Sequence, residues 1–113
     1  MKTKFMKNKP AVLGIGNALV DILMNIPDNE ILEQLGLAPG SMTLVDESEA
    51  VLILDKTKNI SRDMASGGSS ANTIHGLAAL GLPAGFIGSV GQDALAGVFR
   101  SSMEEAGCRL FLQ

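Results

Sequence analysis

The chain has 113 residues, enough for one domain core, and 46% of them are hydrophobic while 19% are charged, a composition typical of a folded globular protein. A net charge of −3, without tryptophan or tyrosine, provides neither the basic stripe nor the aromatic platforms of nucleic-acid binders. We therefore expect no nucleic-acid partner. The one cysteine, Cys108, excludes an internal disulfide, so we expect a cytoplasmic protein.

The first residues are rich in lysine, and we predict a solvated basic tail over 1–10 before a folded domain at 11–113. The apolar stretch after the tail is interrupted by Asn17, Asp21 and Asn25. These polar side chains argue against a signal peptide and against a membrane span, so no membrane partner is expected.

The first half of the chain predicts strands and helices in turn. The run Ala11 to Gly16 is typical of a buried strand, and the apolar run that continues through Asp21 to Leu23 indicates further strand. A helix is predicted from Asn29 to Leu35, before Gly36, and a short extended piece from Ser41 to Val45.

The segment from Asp46 to Asp55 allows two interpretations. Asp46 followed by Glu49 resembles a capping box, which favours a helix with Val51 and Leu54 facing inward. The run from Val51 to Leu54 is also compatible with a strand. We predict the helix, followed by an extended segment over 59–65.

The second half is organised around Gly67-Gly68, a flexible pair followed by a helical pattern. Ser69 or Ser70 is predicted to cap this helix, with Asn72 in its first turn. Further along we predict a glycine-rich strand and turn over 84–91, a helix capped by Asp93, and a strand over 108–113. Gly81 and Gly107 are predicted to end the two helices. The positions predicted to mark the inward faces of these helices are Ile74, Leu77, Ala78, Leu80, Leu95, Val98, Phe99, Ser102, Met103 and Ala106. Alternating strands and helices indicate an α/β fold with a mainly parallel sheet.

Several possible sites can be weighed from the residues alone. Backbone N–H groups after Gly67-Gly68 suit a polar or anionic ligand, although the same composition also occurs in ordinary connections. No metal-ligand cluster surrounds His75 or Cys108, so we predict no metal site and interpret Cys108 as a buried small hydrophobe. Gly14-Ile15-Gly16 begins a dinucleotide fingerprint but lacks its third glycine and its helix.

Three motifs together resemble the N-terminal part of the pfkB (ribokinase-like) family of sugar and nucleoside kinases, in its adenosine-kinase-like branch. They occur in the expected order and spacing: Gly16-Asn17-Ala18-Leu19-Val20-Asp21, Gly67-Gly68-Ser69-Ser70-Ala71-Asn72, and Phe86-Ile87-Gly88-Ser89-Val90-Gly91-Gln92-Asp93. The resemblance extends over nearly the whole chain from Val12 onward.

The resemblance implies a Rossmann-like, three-layer α/β core with a small β lid, whose segments would lie within about 17–25 and 41–66. It also implies a substrate site. Asn17 and Asp21 would bind sugar or ribose hydroxyls, Gly67 and Gly68 would lie against the sugar, and Asn72 would hydrogen-bond another hydroxyl.

The implied activity is transfer of the γ-phosphoryl of ATP, with Mg²⁺, to a hydroxyl of a small-molecule sugar or nucleoside. The family's Gly-Ala-Gly-Asp turn, which carries the catalytic aspartate, has no match in this chain, so we assign no catalytic residue to it. We expect about the first third of a kinase, inactive alone and prone to self-association. A non-catalytic binding or assembly module is the alternative, and a dinucleotide-binding oxidoreductase is less favoured.

Overall fold

The computed structural model describes residues 10–113, so the predicted tail lies, apart from Pro10, outside the described residues. The chain forms two compact units. Unit 1 contains the described residues up to Ile22 together with Met64–Gln113, and unit 2 contains Leu23–Asp63. The elements in chain order are β1 (Val12–Ile15), β2 (Leu19–Met24), α1 (Glu30–Gln34), α2 (Glu47–Lys56), β3 (Arg62–Gly67), α3 (Ser69–Ala79), β4 (Ala84–Gly88), α4 (Ala94–Glu105) and β5 (Arg109–Leu112).

Within the described chain, three strands of unit 1 form a parallel sheet in the order β1-β4-β5. Val12 pairs with Ala84 across β1 and β4, and Gly85 pairs with Arg109 across β4 and β5. This arrangement confirms the predicted α/β fold with a parallel sheet. A separate two-stranded sheet joins β2 to β3. The chain after Gly16 therefore continues into a strand, as predicted, and not into the helix that a dinucleotide fold requires.

The core of unit 1 lies where α3 and α4 pack on one face of this sheet. Phe86 and Phe99 are almost fully buried, with ring centroids 5.5 Å apart and tilted by 55°. Helix α3 comes close to β1 because residue 14 is glycine: a Cβ there would lie 2.5 Å from Cγ1 of Ile74. The buried hydrophobic residues are Ala71, Ile74, Ala78, Ala84, Phe86, Phe99, Met103 and Cys108.

Both helices of unit 1 end as the sequence predicts. Gly81 and Gly107 follow α3 and α4 with φ values of 92° and 95°, a conformation that favours glycine. Asp93 caps α4, since its carboxylate accepts a hydrogen bond of 2.9 Å from the backbone N–H of Ala96. Two of the predicted core positions are wrong: Leu80 is 82% exposed at the end of α3, and Leu95 is exposed in the first turn of α4. Apolar periodicity extends to the helix ends, whereas the sheet covers only the middle turns.

The other face of the β1-β4-β5 sheet has exposed apolar side chains. Leu13 and Ile15 point away from the core, and Ile15 is 73% exposed. With Ile87 and Phe111 they line an open cleft of about 650 Å³. Successive side chains of each strand thus point to opposite faces of the sheet, as in any pleated strand.

Unit 2 contains the two shorter helices. Helix α1 lies within the predicted span, and α2 confirms the helical interpretation of the ambiguous segment, complete with its capping box between Asp46 and Glu49. Val51, predicted to face inward, is 61% exposed, because the described residues of unit 2 build no apolar core against which it could pack.

The short extended piece predicted at 41–45 does not become a paired strand, since these residues form no regular structure. A strand needs a hydrogen-bonded neighbour, and the described ladders join only β1, β4 and β5, or β2 and β3. The assignment of 17–25 and 41–66 to a lid remains a prediction.

Candidate functional site

The carboxylate of Asp21 lies directly against Gly67. Asp21 is exposed in β2, while Gly67 is buried at the end of β3. A Cβ built on Gly67 would lie 2.5 Å from Oδ1 and 2.7 Å from Oδ2 of Asp21. Such distances are far below van der Waals contact, so the carboxylate occupies this position only because residue 67 has no side chain.

Gly68 lies against the backbone of Asn17, another predicted site residue. It has a φ of 92°, and a Cβ on it would lie 3.3 Å from the backbone oxygen of Asn17. The Asn17 side chain is exposed. The chain between β1 and β2 therefore passes close to the glycine that joins β3 to α3.

The start of α3 differs from the predicted one. Gly68 occupies the N-cap position, and in the described structure no side chain caps this helix, so neither Ser69 nor Ser70 has the predicted capping role. The physical reason is the positive φ of Gly68, which turns the chain so that the helix begins at Ser69. Ser70 instead packs on Gly16, where a Cβ would lie 2.8 Å from the Cβ of Ser70.

Asn72 occupies the first turn of α3, as predicted. Its backbone N–H donates to the carbonyl of Gly68 at 2.8 Å, and its side chain is exposed. The predicted site residues all lie in unit 1: two glycines at the turn from strand to helix, with the polar residues Asn17, Asp21 and Asn72 around them.

A cleft of about 290 Å³ lies between the first and third sequence motifs, and none of the predicted site residues lines it. Its walls come from Ala18 to Val20 on one side and from Ser89 to Gly91 and the start of α4 on the other. The first and third sequence motifs thus border the same cleft. Asp93, which also borders it, already accepts the capping hydrogen bond of α4, which gives this carboxylate a structural role.

Sequence reasoning missed a part-buried polar contact next to the glycines. The hydroxyl of Ser102, in α4, accepts a hydrogen bond of 3.1 Å from the backbone N–H of Ser66, and the two serine hydroxyls are 2.9 Å apart. The signal in the sequence was a polar residue on the helix face that carries Phe99 and Met103, since a buried hydroxyl needs a partner.

The other candidate groups have structural surroundings. Cys108 is buried, as predicted, and burial raises the pKa of its thiol, whose Sγ lies 3.8 Å from the carbonyl oxygen of Ile74. Residues 10–113 contain no group of three or more His, Cys, Asp or Glu residues that could hold a metal ion. No ligand set for the Mg²⁺ that accompanies ATP is therefore assigned within these residues, and no reaction step is assigned to the metal. No described helix is long and apolar enough to cross a membrane.

Comparison with solved structures shows which class of protein this chain resembles. The chain resembles the adenosine kinase of Sinorhizobium meliloti, with 36% identity and a TM-score of 0.69 over 88% of this chain. It also resembles a probable sugar kinase from Rhizobium etli CFN 42, with 32% identity and a TM-score of 0.69 over 88%. An adenosine kinase from Schistosoma mansoni, solved with adenosine and AMP, shares the fold at 20% identity, with a TM-score of 0.74 over 90%. The fold is that of the ribokinase-like adenosine and sugar kinases.

The family follows from the sequence match. The pfkB family carbohydrate kinase model matches residues 40–110, more than half of the chain, and the chain belongs to that family. This confirms the resemblance drawn from the three motifs. The chain spans 30%, 29% and 31% of the length of the three kinases compared above. No curated protein sequence matches it.

Proposed function

We propose that this chain supplies the hydroxyl-binding part of a substrate site in a kinase that transfers the γ-phosphoryl of ATP, with Mg²⁺, to a hydroxyl of a sugar or nucleoside. The observation that carries the proposal is the carboxylate of Asp21 held against Gly67, with the backbones of Asn17 and Asn72 beside Gly68. Membership of the carbohydrate kinase family supports the reaction class.

The chemistry of these side chains suits a polyol. An ionised carboxylate accepts hydrogen bonds from two neighbouring hydroxyls, and an asparagine amide both donates and accepts. Two glycines in succession leave room for a sugar ring to approach the backbone. A substrate that lacks the hydroxyls would leave these polar groups unpaired, which provides selectivity.

The role of this chain in the reaction is binding and orientation. Holding the ribose or sugar by its secondary hydroxyls fixes the position of the hydroxyl that attacks phosphorus, and phosphoryl transfer depends mainly on such positioning and on electrostatic stabilisation. Asp21 is assigned to substrate binding, and we assign no catalytic base within the chain. The catalytic aspartate and the phosphate-binding turn are proposed for a part of the kinase that this chain does not match.

The proposal is tested by steady-state kinetics on the protein made from the complete reading frame that contains this chain. Adenosine is the first acceptor to try, because the relative from S. meliloti is named an adenosine kinase. We expect Asp21→Ala to raise KM for the acceptor roughly 10- to 100-fold, since a hydrogen bond to a charged group contributes about 1.5–3 kcal/mol.

Glu104→Ala is the matched control, because Glu104 is an exposed carboxylate on α4 of the same unit. An unchanged KM in Asp21→Ala would contradict the binding role. The 113-residue chain alone should not phosphorylate any acceptor, and turnover by that chain would show that the catalytic groups lie within it. Absence of kinase activity in the complete protein would favour a non-catalytic binding module.

A further inference from the structure

We infer that Ser102 is a positioning residue: through Ser66 it holds the end of β3 so that Gly67 stays against the carboxylate of Asp21. The inference rests on the proposed function, because it concerns the same substrate site. Ser102 borders none of the site residues itself, and nothing in the three sequence motifs points to it.

The contact is a pair of hydrogen bonds between distant parts of the chain. The backbone N–H of Ser66 donates to Oγ of Ser102 at 3.1 Å, and Oγ of Ser66 lies 2.9 Å from Oγ of Ser102. Ser66 is 8% exposed and Ser102 is half-buried, so both bonds lie in a part-buried position. Ser102 Oγ accepts from the backbone N–H of Ser66, so the proton of the Ser102 hydroxyl is available for the Ser66 hydroxyl. One side chain then satisfies both the backbone N–H and the hydroxyl of Ser66.

Ser102 is well placed to act as a fixed point because α4 is anchored on both sides of it. Phe99 and Met103 are 1% and 0% exposed in the core of unit 1, and Phe99 packs against Phe86 of the central strand β4. The hydroxyl of Ser102 therefore has little freedom to move relative to the sheet.

Ser66 passes this constraint to the site through the backbone. Ser66 directly precedes Gly67. The atoms of the Asp21 carboxylate lie 2.5–2.7 Å from the position that a Cβ on Gly67 would take. A small displacement of β3 at Ser66 would change the space that the carboxylate occupies. The contact with Ser102 thus controls the position of a group that binds the acceptor hydroxyls.

The test compares Ser102→Ala with Ser101→Ala in the complete kinase, since Ser101 is the exposed neighbour on the same helix. Well below the melting temperature, Ser102→Ala should raise KM and Kd for the acceptor about three- to tenfold, as expected for lost neutral hydrogen bonds, with kcat and KM for ATP little changed. Ser102→Thr, which keeps the hydroxyl, should restore acceptor affinity.

A purely structural role would lower Tm without changing acceptor KM or Kd, and that result would overturn the inference. Should Ser102→Ala not fold, Ser66→Ala removes only the hydroxyl pair and should still weaken acceptor binding. If Asp21→Ala raises acceptor KM while Ser102→Ala and Ser66→Ala do not, the positioning role fails and the proposed function stands. If none of the three changes it, the proposed function itself fails.

Discussion

The two units of this chain are stabilised in different ways. Unit 1 buries a continuous cluster in which Phe86, Phe99 and Met103 are at most 1% exposed. In the described part of unit 2, Thr57 is the only residue classed as buried, and Met42 and Leu44 are 98% and 97% exposed. Apolar burial therefore stabilises the first unit, whereas local hydrogen bonds have the larger share in the second.

Those local bonds lie at the two ends of α2. At its start the Asp46 carboxylate accepts from the backbone N–H of Glu49, and the Glu49 carboxylate accepts from that of Asp46, both at 2.8 Å. At its end the Thr57 hydroxyl donates to the carbonyl of Ile53 at 2.7 Å, and the Arg62 guanidinium donates to that of Leu54 at 2.6 Å. Side chains thus satisfy backbone groups that a helix leaves unpaired at both of its ends.

The largest effect is expected from the core of unit 1. Phe99→Ala should lower the free energy of unfolding by about 3–5 kcal/mol, because it removes a ring that packs on Phe86 and leaves a cavity. Denaturant titration followed by circular dichroism measures the loss. Leu95→Ala, on the same helix but 42% exposed, is the control and should cost far less. Equal losses would show that the core is not where the stability of unit 1 lies.

A smaller effect on stability is expected from replacing a glycine of unit 1 by alanine, and it should differ between Gly67 and Gly76. Gly67→Ala should destabilise the fold by about 1–3 kcal/mol and raise acceptor KM, because its methyl group overlaps the Asp21 carboxylate. Gly76→Ala is the control: it is exposed in α3, no described atom lies within 4 Å of the added Cβ, and alanine should stabilise the helix by up to about 1 kcal/mol. A tolerated Gly67→Ala would contradict the close approach of Asp21 to the backbone.

The smallest effect is expected at the start of α2. Asp46→Ala should speed amide hydrogen exchange in α2 several-fold and leave the sheet of unit 1 protected, whereas Glu47→Ala should change little. Hydrogen bonds from the Glu49 backbone and the Ser48 hydroxyl lower the pKa of Asp46 below its ordinary value. A lowered pKa means that the cap stabilises α2 above the unfolded pKa and is lost as pH falls through the folded one. Protection of the α2 amides relative to their intrinsic exchange rates that does not fall in acid would contradict this.

Local signals were sufficient for most of the helices and strands. The capping box identified α2, and Asp93 and Gly107 marked the two ends of α4, because these features act between residues only a few positions apart. Val51 was misplaced because helical periodicity cannot indicate whether a core lies opposite. The cap of α3 was misjudged because Gly68, with its positive φ, occupies the N-cap position itself.

The site required more than local patterns. Gly67 and Gly68 were indicated as a possible ligand loop by the residues alone, whereas the hydroxyl-binding roles of Asp21 and Asn72 came from resemblance to a family. No periodicity could have indicated that Asp21 meets Gly67. The bond between Ser66 and Ser102 joins β3 to α4 and depends on how the helix packs. The order of the strands likewise depends on how distant parts of the chain pack. The sequence indicates parallel strands but not that β4 lies between β1 and β5.

The position of β1 in the sheet has a consequence for folding kinetics. Strands β4 and β5 are joined through α4 and can associate over a short loop, whereas β1 must find β4 across most of the chain, with Val12 beside Ala84. Closing a loop of roughly seventy residues costs more entropy than closing one of about twenty, so we expect β1 to be added to a preformed β4-α4-β5 nucleus. Asn17 lies just after β1 and Asp21 lies in the next strand, β2, so acceptor binding should be the last property to return on refolding.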